Sequence, residues 1–261
     1  MKQKINSRFL LTIGISLTLL ACNTQQNKEA SADSTATDTS SNQATAETPA
    51  QENIDAAKVA PTLYTVAKDT MGIRVLKITY KPGDSSALHS HPDNVLYVID
   101  GGKGEFTEKD GTKDVRELKS GMIMTQAAST HSVKNVGKTT LKAILVEVNR
   151  PNTTGTAVDP ALDAVKVAPT LYKKVSDTMN IKVVMATYKP GASSALHAHA
   201  DYAIYTIQGG KAEFTSKDGT KQVNDLPTGA VLIKAAEQHS VKNVGNSTIK
   251  VLLVEVNRPA Q

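Results

Sequence analysis

The chain has 261 residues, a formal net charge of +5, one cysteine, three phenylalanines and no tryptophan. Three of its positive charges (Lys2, Lys4 and Arg8) lie in the leader, the remainder is close to neutral, and the lysines are scattered, so no nucleic-acid-binding surface is indicated. A single cysteine excludes an intrachain disulfide and argues against a redox role.

The first segment reads as targeting information. A basic start precedes the apolar run from Phe9 to Leu20, which is as long as a signal h-region and short for a membrane span. It ends in Leu19-Leu20-Ala21-Cys22, which resembles a bacterial lipobox. On that reading residues 1–21 are removed and Cys22 is lipidated, which places the protein on the bacterial cell envelope, facing the periplasm or on the cell surface. Residues 22–57, rich in Ser, Thr, Ala, Gln and Asn, cannot bury enough apolar surface to fold and are expected to form a tether.

From Lys58 onward the chain repeats itself. Lys58-Val59-Ala60-Pro61-Thr62-Leu63-Tyr64 recurs as Lys166-Val167-Ala168-Pro169-Thr170-Leu171-Tyr172, and His131-Ser132-Val133-Lys134-Asn135 recurs as His239-Ser240-Val241-Lys242-Asn243. The offset stays at 108 positions with no gap and roughly three-fifths of the positions match, the mark of a duplicated domain. The units are residues 58–151 and 166–261, joined by a linker at 152–165. Each is long enough for its own core.

Within one unit the pattern is β throughout. Ile73 to Tyr80 reads as a strand stopped by Lys81-Pro82-Gly83. Val95 to Ile99 ends at Gly101-Gly102, and Gly104 to Thr107 leads into a hairpin turn at Lys109-Asp110-Gly111. Met122 to Met124, His131 to Val136 and Leu141 to Val148 follow. Gly83, Gly101 and Gly111 are read as turn residues. Short strands with turns every ten residues or so predict an all-β sandwich or barrel in each unit.

All six histidines fall at three matched positions: His89, His91 and His131, then His197, His199 and His239. His89 and His91 are two apart on an extended segment and share a face, and a third imidazole from a distant strand can complete a triad. Three protein ligands leave positions open, the pattern of a catalytic and not a structural metal site.

These residues resemble the cupin superfamily. Gly83, His89-Ser90-His91 and Gly101 match its first motif, and His131 with Asn135 its second; Gly191, His197, His199, Gly209, His239 and Asn243 match again in the second unit. The resemblance covers both units and implies two tandem jelly-roll barrels, a bicupin packed as an intramolecular pseudo-dimer, with a metal inside one end of each. Where the family usually carries a glutamate, this chain has Asn94 and Tyr202, and Gln126, Ala128, Lys234 and Ala236 replace the Pro-x-Gly of the second motif.

Losing that carboxylate leaves neutral three-histidine sites, which look more like the dioxygenase branch than like oxalate-degrading bicupins. The implied cofactor is a divalent transition metal (Zn, Cu, Fe, Ni or Mn), and export before folding favours Cu or Zn by the Irving–Williams order. Asn94 and Tyr202 are expected to face inward, to orient substrate or to fill space. Glu105, Glu213, Glu147 and Glu255 are expected on solvated strand faces, with a fourth-ligand role as the alternative, and Asp93 and Asp201 in turns. The leading functional expectation is an oxidoreductase acting on a small organic substrate. The rivals are a non-catalytic metal- or ligand-binding lipoprotein and a metal-free structural pair.

Overall fold

In the computed structural model, residues 54–149 and 158–256 are described. The leader, Cys22, the tether up to residue 53 and the linker residues 152–157 lie outside them.

The first unit opens with a one-turn helix, α1 (Ala56–Val59). Nine strands follow: β1 (Tyr64–Thr70), β2 (Ile73–Tyr80), β3 (His89–His91), β4 (Asn94–Asp100), β5 (Gly102–Glu108), β6 (Lys113–Leu118), β7 (Ile123–Gln126), β8 (Ser129–Asn135) and β9 (Leu141–Val148). The second unit repeats the plan with α2 (Ala164–Val167), β10 (Tyr172–Thr178), β11 (Ile181–Tyr188), β12 (His197–His199), β13 (Tyr202–Gln208), β14 (Gly210–Ser216), β15 (Lys221–Leu226), β16 (Val231–Lys234), β17 (Glu237–Asn243) and β18 (Ile249–Val256). All paired strands run antiparallel, in a five-stranded sheet of order β1-β2-β9-β4-β7 facing a four-stranded sheet of order β3-β8-β5-β6. The second unit forms the same two sheets.

The central strands of the five-stranded sheet, β2, β9 and β4, are largely buried on both faces. One face, with Leu76, Tyr80, Leu96, Val98, Leu141 and Leu145, lines the barrel interior. The other face carries Ile73, Val75, Val95, Ile144 and Val146, and packs against Ile181, Val183, Leu252 and Val254 of the second unit. The Tyr97 and Tyr205 rings meet across this seam at 5.5 Å, and Thr125 and Ser176 share a hydroxyl hydrogen bond of 2.7 Å. The two barrels thus stand back to back through one continuous apolar layer, in which each fully buried isoleucine contributes about 1.5–3 kcal/mol relative to exposure.

Asp55 and Ala56, assigned to the tether from sequence, are part of the packed barrel. The Asp55 carboxylate accepts from the Ala57 amide at 2.9 Å, capping α1, and also receives Arg74 at 2.9 Å; Ala56 is fully buried. Gly111 sits at φ +87° in its hairpin, as turn chemistry requires. Gly101 is a different case. Its φ is ordinary, and it is glycine because a Cβ there would lie 2.5 Å from the Leu118 carbonyl oxygen. Among the described residues, no helix is long and apolar enough to cross a membrane.

Candidate metal centres

Strand pairing alone assembles each triad. His89 on β3 stands directly opposite His131 on β8, and His91 follows on the same face of β3; His197 faces His239 in the same register. In each unit the three imidazoles offer ligand atoms within 4.8 Å of one another. All are buried except His131, which is half-buried.

Each ring is oriented by its Nδ1. In the first unit His89 Nδ1 lies 2.8 Å from the Ala87 carbonyl, His91 Nδ1 2.7 Å from Glu147 Oε1, and His131 Nδ1 3.4 Å from Ser129 Oγ. These contacts leave the Nε2 atoms as the candidate ligating nitrogens, with the Tyr64 hydroxyl resting against that of His89. Burial pulls His89 down to about 4, His131 to about 3 and His197 to about 3, and it lowers His239 as well, so these imidazoles stay neutral at neutral pH and free to ligate. Convergent, pre-oriented imidazoles fit a divalent transition metal.

Glu147 and Glu255 correct the sequence reading, which placed them on solvated faces. Both are buried at 0% and 1% exposure, and each bonds a metal-facing histidine, Glu255 Oε1 lying 2.7 Å from His199 Nδ1. Neither is a ligand here; each holds a ligand. Glu147 Oε2 receives Arg74 Nε at 2.5 Å, and Arg74 in turn reaches Asp55, giving a chain His91–Glu147–Arg74–Asp55. The second unit rebuilds it as His199–Glu255–Lys182–Asp163. Burial would lower the Arg74 and Lys182 pKa values, but their carboxylate partners outweigh it and raise both.

A second pair escaped the sequence reading. The Tyr64 hydroxyl lies 2.9 Å from His89 Nε2 and accepts from Tyr80 at 2.9 Å. Tyr172, His197 and Tyr188 repeat the arrangement at 2.9 and 2.7 Å. The signal was present, since both tyrosines recur at matched positions, but nothing in strand spacing says that β1 passes over the triad.

His91 and His131 line a cavity of about 260 Å³ in the first unit, and His199 and His239 line one of about 400 Å³ in the second. Leu96, Val98, Phe106 and Met124 supply much of the first lining. Asn94 and Tyr202 are both 2% exposed and face these cavities. Asn94 Nδ2 donates to the Pro92 carbonyl, and its Oδ1 has no hydrogen-bond partner. The Tyr202 hydroxyl donates to Glu237 at 2.6 Å. Burial pushes Glu237 up, but bonds from His239, Lys234 and Tyr202 prevail and hold it at about 2. Asp93 and Asp201 accept from the Ala128 and Ala236 amides at 2.9 and 2.8 Å, pinning the loop ahead of the strand that carries the third histidine. Glu105 and Glu213 pair with Lys113 and Lys221 at the surface.

Solved structures share this architecture. An oxalate decarboxylase of Bacillus subtilis, described for its Mn(II) centres, superposes with a TM-score of 0.52 at 16% identity, covering 74% of this chain and 71% of its own. The oxalate decarboxylase of Lactobacillus farciminis in a formate complex gives 0.51 at 14%, covering 74% and 79%. AerE from Microcystis aeruginosa gives 0.50 at 16%, covering 74% and 97%. The chain has the tandem cupin fold. No protein-family model matches it, and no curated protein does. At these identities the likeness concerns the fold, so what the bicupin does must come from its own two centres.

Proposed function

We propose that each half of the bicupin holds one divalent transition-metal ion on its three histidines, and that the first half oxidises a small organic substrate in a dioxygenase-type reaction. The observation that carries this reading is a convergent, pre-oriented triad in which burial holds His89 and His131 neutral and in which His91 and His131 line a largely apolar cavity. A bound metal would polarise an anionic substrate head, and a redox-active one such as copper would also supply the electron chemistry that dioxygen requires.

The protein's own groups set the rest. With no carboxylate among the ligands, the site keeps a full double positive charge, which favours an enolate, thiolate or carboxylate head. Leu96, Val98, Met124 and Phe106 accommodate an apolar body and exclude water. The unpartnered Asn94 Oδ1 accepts a hydrogen bond from a substrate hydroxyl or amine beside that head. The second half supports the alternative, a non-catalytic metal or ligand site, because Tyr202, Lys234 and Glu237 already satisfy one another inside its cavity.

For metal identity the reading is copper or zinc, from filling outside the cytoplasm. For location it is a bacterial envelope lipoprotein anchored through Cys22, supported by the order of charges, apolar run and cysteine at the amino terminus.

Elemental analysis of the protein isolated from its native envelope without added metal tests the core of this reading. About two transition-metal ions per chain are expected, one per triad. Less than about a tenth of an ion, even after reconstitution, would remove it. Oxygen uptake with enols, thiols and hydroxy acids then tests turnover, and lack of uptake across that panel would leave the binding reading. Cys22→Ser should move the protein from the membrane to the soluble fraction.

A further inference from the structure

The two triads are near copies, but the residues around their third histidines are not. Three matched positions that cluster there differ together. Asn94 and Gln126 are direct cross-strand partners in the first unit, and Tyr202 and Lys234 take their places in the second. Ser129, opposite His91, is replaced by Glu237, opposite His199.

The consequence falls on one nitrogen. His131 Nδ1 has Ser129 Oγ at 3.4 Å, a long contact to a neutral hydroxyl. His239 Nδ1 has Glu237 Oε1 at 3.1 Å. That carboxylate is fixed in place by the Tyr202 hydroxyl at 2.6 Å and by the Lys234 ammonium. A carboxylate behind a ligating imidazole raises its basicity and locks its orientation, and loss of such a partner weakens metal binding by about 10–100-fold. The first site has one histidine backed this way, His91 by Glu147. The second has two, His199 by Glu255 and His239 by Glu237.

We propose that Glu237 makes the two metal sites unequal, so that the second half binds its divalent ion more tightly, fills first and retains it, while the first half exchanges its ion. This rests on the three-histidine metal sites proposed above. Glu237 acts here as a positioning residue, through His239.

Titration of the metal-free full chain with Co(II), followed by d–d absorption and by competition with a chelator, reads both sites at once. His131→Ala and His239→Ala each delete one site and assign the two phases. Two classes separated about 10–100-fold are expected, with the tight one lost in His239→Ala. Glu237→Ser, which restores the first unit's own residue, should merge the classes at the weak value, as should the isosteric Glu237→Gln. Ser129→Glu should move the weak class toward the tight one. A single class in the unaltered chain, or a tight class that survives both Glu237 substitutions, would overturn the inference while leaving the metal sites standing. No Co(II) binding at either triad would overturn the metal reading itself, and the inference with it.

Discussion

Glu147 shows how one residue can set the behaviour of a site without touching what the site binds. Its two oxygens are divided between His91 and Arg74, and it is fully buried. Glu147→Gln preserves the shape, removes the charge behind His91 and leaves Arg74 with Asp55 as its remaining carboxylate partner. First-site metal affinity should fall about 10–100-fold in chelator competition. Stability of the metal-free protein should fall by about 1–3 kcal/mol in denaturant unfolding, the scale for weakening a buried hydrogen-bonded partner, because Arg74 keeps its pairing with Asp55. Unchanged affinity would mean that His91 is oriented by packing alone. The histidines were legible because residue type, spacing and duplication agree. Glu147 was not: its inward face carries Leu141, Ala143 and Leu145, but the opposite face of β9 is equally apolar, so alternation could not say which way a glutamate points. Asn135, read as a motif residue, has a structural task. Its amide donates to the Tyr80 and Thr139 carbonyls and accepts from the Gly137 amide, tying the β8–β9 turn to the end of β2.

Strands that face the core announced themselves, and strands that face water did not. The segments 73–80 and 141–148 were read with the boundaries the fold shows, because both carry dense β-branched and leucine content. β1 and β6 were passed over, since nearly every side chain after Tyr64 and before Leu118 is exposed and no alternation survives. The β1–β2 hairpin also lacked the usual signal. Met71 and Gly72 occupy positive φ of +57° and +68°, and the second copy uses Met179 and Asn180 at +54° and +56°. Close approach is equally silent in sequence, and Gly101 against Gly83 makes the distinction testable. Gly83 has φ +87° and open space around it, so Gly83→Ala should cost about 1–2 kcal/mol of backbone strain. Gly101→Ala must push a Cβ against the Leu118 carbonyl, and should cost about 1–3 kcal/mol, splaying the β4–β5 turn from the end of β6. Chemical denaturation of both variants decides it. Gly101→Ala melting like the unaltered chain would show that the β6 end yields freely.

At the scale of the molecule, duplication supplied the domain plan and the shared apolar layer joins the halves, so charge taken up in either barrel is felt by one folded unit. Acid stability follows from the triads. His89, His131 and His197 titrate near 4, 3 and 3 when folded, against an ordinary value of 6.5. Their folded values are depressed, so at high pH neither state is protonated and there is no penalty. As pH falls below about 6.5 the unfolded chain binds protons that the folded chain refuses, and stability is lost at up to about 1.4 kcal/mol per pH unit for each such histidine. The carboxylates held low in the fold, Glu237 and Asp55, add their own loss further down, below their ordinary values of 4.5 and 3.8. The interval from pH 6.5 to about 5 therefore belongs mainly to the histidines. Metal-free protein should melt progressively lower between pH 7.5 and pH 5, and His131→Asn should flatten that slope by about a quarter, since one of four lowered imidazoles is gone. A bound divalent metal should steepen the same slope, because protons then compete with the metal for all six rings. A melting temperature that does not change between pH 7.5 and 5 in the metal-free chain would mean that the triads open to water before the barrels unfold.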